Sequence, residues 1–158
     1  MAKTNAARIL DRLKISYRLL EYSADENDLS AASAAKQLGL PAEQIFKTLV
    51  ADGDKTGIIV ASVPGDNELD LKALARLSGN KKIELVPLKN LQHLTGYVRG
   101  AVSPLGMKKD YPYYLDQRAL NYPFILISAG TRGLQISLAP EDLIKAAEAV
   151  TGFLCRKT

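Results

Sequence analysis

The sequence IFKTLVADGDKTGIIVASV, residues 45–63, decides the fold class of this chain. It contains two largely apolar runs, residues 45–51 and 57–63, separated by Asp52-Gly53-Asp54. Short runs of this kind bounded by turn residues are typical of strands, and Asp-Gly between two of them is typical of a hairpin. The stretch therefore predicts two antiparallel neighbours in a sheet.

A second hairpin is predicted near the C-terminus, where Ala129-Gly130-Thr131-Arg132-Gly133 joins the runs at residues 124–128 and 134–138. The runs IIVASV (residues 58–63) and FILI (residues 124–127) are apolar throughout, which is typical of central strands covered on both faces. In contrast, Gln135 and Ser137 alternate with apolar residues and predict a half-buried strand. Further strands are predicted at residues 16–22, 82–86 and 113–116.

Helices are predicted between these strands. Apolar residues at helical spacing predict helices over residues 6–13, 31–38, 71–77 and 143–150, and a shorter helix is expected at residues 89–94. Ser30 or Asp28 is expected to cap the second of them, Asp70 to cap the third, and Pro140 to start the last. The fold class predicted is α/β of the α+β type. We expect a single domain over residues 1–158, with a curled, mixed, mostly antiparallel sheet of six to seven strands and about five surrounding helices.

Composition limits the chemistry that is available. The chain has 158 residues, of which 47% are hydrophobic and 24% charged, as in ordinary globular domains. One cysteine, Cys155, and one histidine, His93, exclude a zinc site of the His/Cys type. A cysteine nucleophile would need the remote pair of Cys155 with His93, and any histidine catalysis must use His93. Phosphate-loop, GxGxxG, GxSxG and HExxH motifs are absent, so we predict no metal and no other cofactor.

Charge and hydropathy bear on location and partner. No apolar run reaches the roughly eighteen residues of a membrane span, and no signal-like segment follows Met1, so we expect a cytoplasmic protein without a membrane partner. The net charge of +4 is compatible with a polyanionic partner but does not require one.

Three stretches are candidates for a functional site. Lys47 shares a strand face with Ile45 and Leu49, so it is either an edge residue with its ammonium in water or a cation fixed beside a cleft. The segment GYVRGAVSPLG, residues 96–106, is either a connection with unusual turns or a loop that brings bare backbone groups to a ligand. In residues 128–133, Arg132 is available to an anionic group, although a plain hairpin turn explains the stretch as well.

Four motifs occur in order along the chain: FKTL at residues 46–49, LDLK at 69–72, TGY at 95–97 leading to GAVSPLG at 100–106, and SAGTRGL at 128–134. Together they resemble the YbaK/EbsC family of free-standing aminoacyl-tRNA deacylases, which are similar to the editing domain inserted in bacterial prolyl-tRNA synthetase. The resemblance runs in order over nearly the whole chain, which makes it far more specific than any one motif.

The resemblance implies hydrolysis of the ester that joins a wrong amino acid to the 3′ end of a tRNA. The substrate expected is Cys-tRNA(Pro), or another small amino acid on tRNA(Pro). The partners implied are the acceptor end of aminoacyl-tRNA and prolyl-tRNA synthetase. Lys47 matches the functional lysine of the family, and Gly100 lies in its GxxxP loop, so these two are the catalytic candidates. The substrate-binding candidates are Tyr22, Thr48, Ser103, Pro104, Ser128, Gly130 and Arg132.

An aminoacyl ester is already activated, so orientation and hydrogen bonds to the developing oxyanion can suffice for its hydrolysis. The attacking group is either a water held by a loop carbonyl or the thiol of a cysteine substrate. This chain departs from the family at Gln135, where many relatives carry aspartate, and at residues 22–27. The resemblance therefore supports deacylation more strongly than it supports cysteine. A non-catalytic module that binds charged tRNA or a synthetase, and a fold with an unrelated small-molecule role, remain alternatives.

Overall fold

The computed structural model of the chain describes residues 3–25 and 27–156. Its helices are α1 (Asn5–Arg12), α2 (Ala31–Leu38), α3 (Leu71–Ser78), α4 (Leu88–Thr95) and α5 (Pro140–Ala147), with short 3-10 helices at Ala42–Gln44 and Gln117–Asn121. Its strands are β1 (Arg18–Glu21), β2 (Phe46–Gly53), β3 (Gly57–Pro64), β4 (Ile83–Leu85), β5 (Tyr113–Asp116), β6 (Ile125–Ser128), β7 (Leu134–Leu138) and β8 (Val150–Gly152).

Both predicted hairpins are confirmed. β2 pairs antiparallel with β3 over its whole length, and β6 pairs antiparallel with β7. The predicted caps also form: Ser30 Oγ accepts the amide of Ser33 at the start of α2, and Asp70 caps α3. The mixed α/β class is confirmed, because four of the six strand pairs are antiparallel and the pairs β3–β5 and β5–β8 are parallel.

The strands form two sheets rather than the one sheet of six to seven strands that we predicted. One sheet has the order β1-β7-β6 and the other β4-β2-β3-β5-β8. β6 meets the larger sheet at one bridge, between Leu126 and Ile45, just before β2 begins. β4 pairs with β2 only at residues 51–53, near the end of β2. The same edge of β2 is therefore unpaired near the start of β2, where β6 approaches it.

The last helix is shorter than predicted, and the strand β8 was missed. α5 ends at Ala147, and Glu148 adopts a left-handed conformation with φ of 52°. Val150 therefore lies in a strand rather than in the helix predicted over residues 143–150. The carboxylate of Asp116, at the end of β5, accepts the Leu154 amide at 2.7 Å and holds this returning segment beside β5. This long-range contact overrides the helical spacing of the local sequence.

Buried residues form three clusters. The largest draws on both sheets, α1 and α5, with Val60, Leu115, Ile127 and Ile136 among its members. The second lies between β3 and α3, because alternate residues of IIVASV face opposite sides of their sheet. In the third, α2 packs where Ile45 meets Leu126. These clusters place β2 and the ends of β6 and β7 beneath a common cleft.

β7 is the central strand of its sheet, and all five of its residues are buried. The prediction of a half-buried strand was therefore wrong: Gln135 is 7% exposed and Ser137 8%. Among the described residues no helix exceeds eight residues, and none is long and apolar enough to span a membrane.

Candidate active-site cleft

A cleft of about 490 Å³ opens along β2. Its walls come from four parts of the chain that are far apart in sequence: Tyr22 with residues 27–34, β2, the β4–α4 region and the loop that follows α4, with β6 and β7 at one side. The predicted residues that line it are Tyr22, Lys47, Thr48, Gly100 and Ser128. The fold therefore gathers both catalytic candidates and three of the seven substrate-binding candidates around one space.

Lys47 lies in this cleft on the strand that runs along its floor. Its side chain is partly buried, and no described carboxylate forms a salt bridge with it. The Lys47 ammonium can attract an anionic group of a ligand, and the partly apolar lining strengthens that attraction.

The glycine loop, residues 96–106, lines the cleft through Arg99, Gly100 and Val102. Gly100 lies in the left-handed region with φ of 84°. A Cβ atom built there would approach Leu29 Cδ1 to 3.0 Å, so Gly100 and the 27–31 segment are in contact. The next amide, Ala101 N, donates to Val98 O at 3.0 Å, whereas no hydrogen bond from the Gly100 amide forms within the described residues.

Two side chains hold the glycine loop. The Tyr97 hydroxyl donates a short hydrogen bond to the Leu105 carbonyl, which joins the two ends of the loop. Burial raises the pKa of this phenol above its ordinary value, so the hydroxyl keeps its proton at neutral pH. Arg132 Nε, from the β6–β7 hairpin, donates to the Arg99 carbonyl at 2.9 Å.

Four predicted substrate-binding residues are not among those that line the cleft. Ser103 is fully buried, and its Oγ accepts the Leu105 amide. Pro104 lines a separate hollow with Arg12 and Tyr113. Gly130 lies under the Tyr97 ring, and Arg132 contacts the loop backbone. Ser103, Gly130 and Arg132 each contact residues of the glycine loop. That these residues also bind substrate remains a prediction.

Thr48 and Ser128 connect the cleft to polar groups below it. Thr48 Oγ1 lies 2.7 Å from the hydroxyl of Ser62, which is fully buried. Ser128 Oγ accepts the Gly130 amide at 3.1 Å. Because each hydroxyl already has one partner within the protein, its orientation towards the cleft is restricted.

Gln135 is a cleft residue that the sequence marks only as a departure from the family. It lies opposite Ser128 in the β6–β7 register. Among the described residues its Oε1 atom is buried without a hydrogen-bond partner. A buried acceptor of this kind costs about 1–3 kcal/mol unless a ligand satisfies it. The alternation of Gln135 with apolar residues does indicate a residue facing a polar space, but that space is the cleft rather than bulk solvent.

The segment before α2 also lines the cleft, through Asn27, Asp28, Leu29 and Ser30. Asp28 accepts hydrogen bonds from the hydroxyl and amide of Ser30, which lower the pKa of its carboxyl group. The sequence indicates Ser30 and Asp28 as helix-cap candidates, and Ser30 does cap α2. Only the folded chain shows that this cap also forms a wall of the cleft.

The remaining nucleophile and base candidates lie elsewhere. His93 is exposed on α4, and Cys155 is buried near Asp116. Burial raises the pKa of the Cys155 thiol to about 12, so it is not a thiolate at neutral pH. Neither residue lines the cleft. Within the described residues, no group of three His, Cys, Asp or Glu side chains could hold a metal ion.

The cleft thus combines a partly buried cation, hydroxyls, and a backbone amide and a side-chain amide oxygen that have no partner within residues 3–25 and 27–156. This set can bind an anionic or strongly polar group, orient a small polar ligand and donate to an oxygen that gains negative charge.

Comparison with known sequences gives one family match. The aminoacyl-tRNA editing domain matches residues 25–146, which include every wall of the cleft except Tyr22. EbsC of Enterococcus faecalis is 52% identical over 142 residues, covering 90% of this chain and 87% of that protein. The name of that protein proposes it as a Cys-tRNA(Pro)/Cys-tRNA(Cys) deacylase.

Two more distant relatives match nearly the whole of this chain. The prolyl-tRNA editing protein ProX of Acetoanaerobium sticklandii is 26% identical, covering 94% of this chain and 92% of its own. A crystal structure described as a candidate trans-editing enzyme for prolyl-tRNA synthetase is 28% identical, with a TM-score of 0.82 and coverage of 99% of this chain and 100% of its own.

Proposed function

This chain belongs to the YbaK/EbsC family of aminoacyl-tRNA editing domains, and we propose that it is a hydrolase that deacylates mischarged aminoacyl-tRNA in trans. The observation that carries the proposal is that Lys47 and Gly100, from motifs more than fifty residues apart, line one cleft. Cys-tRNA(Pro) is the first substrate to test, because EbsC is the relative of 52% identity. On this proposal the protein works in the cytoplasm, where tRNA is charged.

The reaction requires little from the protein beyond placement. Water adds to the ester carbonyl, the bond between that carbon and the ribose oxygen breaks, and the ribose oxygen takes a proton. The products are a free amino acid and an uncharged tRNA. On this proposal, the Gly100 amide donates to the carbonyl oxygen as that oxygen gains negative charge, and the Lys47 ammonium favours negative charge in the cleft. With a cysteine substrate, its own thiol is an alternative attacking group: a carbon–sulfur bond replaces the bond to the ribose oxygen, the thiol proton passes to that oxygen, and water then opens the resulting thiolactone to free cysteine.

The 3′ end of tRNA is the part of the partner that this cleft can take. The cleft has room for a terminal nucleotide and a small amino acid rather than for a helical stem. Recognition of a particular tRNA therefore has to come from surfaces outside the cleft or from a partner. The structural relative described as acting for prolyl-tRNA synthetase supports that synthetase as the partner to test.

A panel of labelled aminoacyl-tRNAs tests the proposal. We expect the wild-type protein to release amino acid from one or more members carrying a small amino acid. Lys47→Ala should lower kcat/KM by roughly 10²–10³-fold, the range seen on removal of one oxyanion-stabilising group. Lys55→Ala is the matched control, because Lys55 is exposed in the β2–β3 turn and does not line the cleft.

Two results would contradict the proposal. Binding of charged tRNA without ester loss on every member of a broad panel would favour the non-catalytic module. Equal activity in Lys47→Ala and wild type would remove the role of the lysine, while a rise in KM with unchanged kcat would make it an anchor for the ligand.

A further inference from the structure

A hydroxyl interrupts the apolar interior of the larger sheet. Ser62 lies in β3, the central strand of that sheet, between Ala61 and Val63, and its side chain is fully buried. A hydroxyl removed from water costs free energy unless it has a hydrogen-bond partner, whereas an alanine at the same place would carry no such cost. The hydrogen-bonding neighbours of Ser62 therefore indicate what this residue does.

The first neighbour is Thr48 on the adjacent strand β2. The two residues lie opposite each other in the antiparallel register, and their hydroxyl oxygens are 2.7 Å apart, a distance typical of an O–H···O hydrogen bond. Thr48 lines the cleft, whereas Ser62 does not. The backbone already joins β2 and β3 over the whole length of both strands, so their pairing does not depend on this side-chain contact. What the contact fixes is the orientation of a hydroxyl at the cleft.

A third hydroxyl lies beyond Ser62, on the strand at the other side of β3. Tyr113 begins β5, and its register partner Val60 is two residues before Ser62, so Tyr113 and Ser62 lie on the same face of the sheet. Tyr113 is 4% exposed, and its hydroxyl oxygen is buried without a hydrogen-bond partner within the described residues. Burial raises the pKa of this phenol, and the nearby Ser62 side chain acts in the opposite sense. The phenol therefore keeps its proton at neutral pH.

The order of the three hydroxyls favours one direction for their protons. The phenol is the most acidic of them, with an ordinary pKa of 10.0, and is therefore the strongest donor. A proton donated from Tyr113 to Ser62 leaves the Ser62 proton for Thr48, and the Thr48 proton for an acceptor in the cleft. The opposite direction would leave the phenol proton buried without an acceptor, which costs free energy. We call Thr48, Ser62 and Tyr113 the hydroxyl column.

We propose that Ser62 and Tyr113 are positioning residues: in the complex with substrate, Tyr113 donates to Ser62 and Ser62 to Thr48, which directs the Thr48 proton at an oxygen of the aminoacyl ester. This inference rests on the proposed function. Neither positioning residue lines the cleft, so both act through Thr48. The column supplies no nucleophile and transfers no proton; it holds one donor in place, which favours negative charge on the oxygen that the donor faces. Hydrogen bonds of this kind are often long in a free enzyme and shorten in the complex with substrate.

Deacylation kinetics of single and double variants test the column. We expect Ser62→Ala to lower kcat/KM about three- to tenfold, as on the loss of one neutral hydrogen bond, and Tyr113→Phe to lower it in the same sense. Thr48→Val should cause at least the loss of Ser62→Ala, while Thr48→Ser, which keeps the hydroxyl, should retain most of the activity. In the Thr48→Val background, Ser62→Ala should change kcat/KM by about 1.5-fold or less, because the hydroxyl that it positions is absent.

Ser137→Ala is the matched control. Ser137 is also a buried serine in a central strand, being 8% exposed in β7, and it does not line the cleft. We expect its kcat/KM to equal that of the wild type. Thermal unfolding of every variant separates loss of activity from loss of the fold. If Ser62→Ala does not fold, Tyr113→Phe in the wild-type and Thr48→Val backgrounds gives the same comparison.

Each other outcome overturns the assignment. Unchanged kcat/KM in Ser62→Ala shows that Thr48 needs no positioning by Ser62, and unchanged kcat/KM in Tyr113→Phe removes the direction of the protons. Equal losses from Ser62→Ala with and without the Thr48 hydroxyl show that packing is the cause, as does an equal loss in Ser137→Ala. In all of these cases the wild-type protein still deacylates tRNA, whereas failure of the proposed function is the absence of that activity.

Discussion

The ring of Tyr97 lies against the backbone of Gly130: a Cβ atom at position 130 would come within 2.9 Å of Tyr97 Cε1. The hydroxyl of the same tyrosine donates to the Leu105 carbonyl. A single side chain thus connects the β6–β7 hairpin with the far end of the glycine loop. Because Gly100 lies within that loop, the position of its amide depends on contacts that are themselves outside the cleft.

We predict that Tyr97→Phe lowers kcat for deacylation by about two- to tenfold, the equivalent of one neutral hydrogen bond of about 0.5–1.5 kcal/mol. KM should change little, since Tyr97 does not line the cleft. Tyr111→Phe is the matched control: Tyr111 is also partly buried, and its hydroxyl donates to the Leu94 carbonyl at 2.7 Å. Steady-state kinetics and thermal unfolding of both variants are the measurements. An equal loss of kcat in the two variants would show that general destabilisation, rather than loss of the Tyr97 hydrogen bond, lowers the activity.

We predict that Gly130→Ala lowers activity at least tenfold because the new methyl group displaces Tyr97. The residue also has φ of 102°, where alanine is strained. Gly57→Ala separates the two effects: Gly57 has φ of 73°, and nothing lies within 4 Å of the position that an alanine methyl group would take there. Both variants should lose about 1 kcal/mol of unfolding free energy, since alanine is disfavoured at positive φ. If Gly57→Ala loses as much deacylase activity as Gly130→Ala, displacement of Tyr97 is not the cause.

Gln135→Leu is expected to keep or raise the unfolding free energy and to weaken the preference for amino acids that carry a hydrogen-bond donor. It removes a buried acceptor that has no partner among the described residues, so the unfolding free energy should stay equal or rise, by up to about 1–3 kcal/mol. Deacylation of substrates with a hydrogen-bond donor in the amino acid should fall relative to an apolar substrate of similar size. Chemical denaturation and the aminoacyl-tRNA panel measure the two effects. A destabilised variant with unchanged substrate preference would show that the amide has a purely structural role.

The buried thiol gives a pH-dependent prediction. Its pKa in the folded chain is about 12 against an ordinary value of 9.0, so between these values the folded state holds a proton that the unfolded state has lost. Unfolding free energy should therefore decrease as the pH rises from 9 towards 12, and Cys155→Ala should flatten that decrease. Denaturation curves at several pH values test this. Cys155 should also resist alkylation at pH 8 in the folded protein, and rapid alkylation there would contradict its burial.

Much of the fold follows from local sequence. Asp-Gly between two apolar runs predicted the β2–β3 hairpin, and cap residues such as Ser30 and Asp70 marked helix starts correctly. These features depend on neighbours within a few residues, so a sequence carries them directly. The β8 strand was missed because it forms through Asp116, which is distant in sequence and fixes the chain by a long-range hydrogen bond.

By itself, the sequence determined the hairpins, most helix boundaries, the order of the family motifs and the identity of Lys47 and Gly100 as candidates. Only the tertiary structure decided that Ser103, Pro104, Gly130 and Arg132 lie outside the cleft lining, while Gln135, the cap of α2, Leu85 and Leu88 lie within it. The physical reason is that a cleft forms where separate elements fail to fill space completely. Which side chains border that space depends on how the two sheets and the glycine loop pack, and no local pattern encodes it.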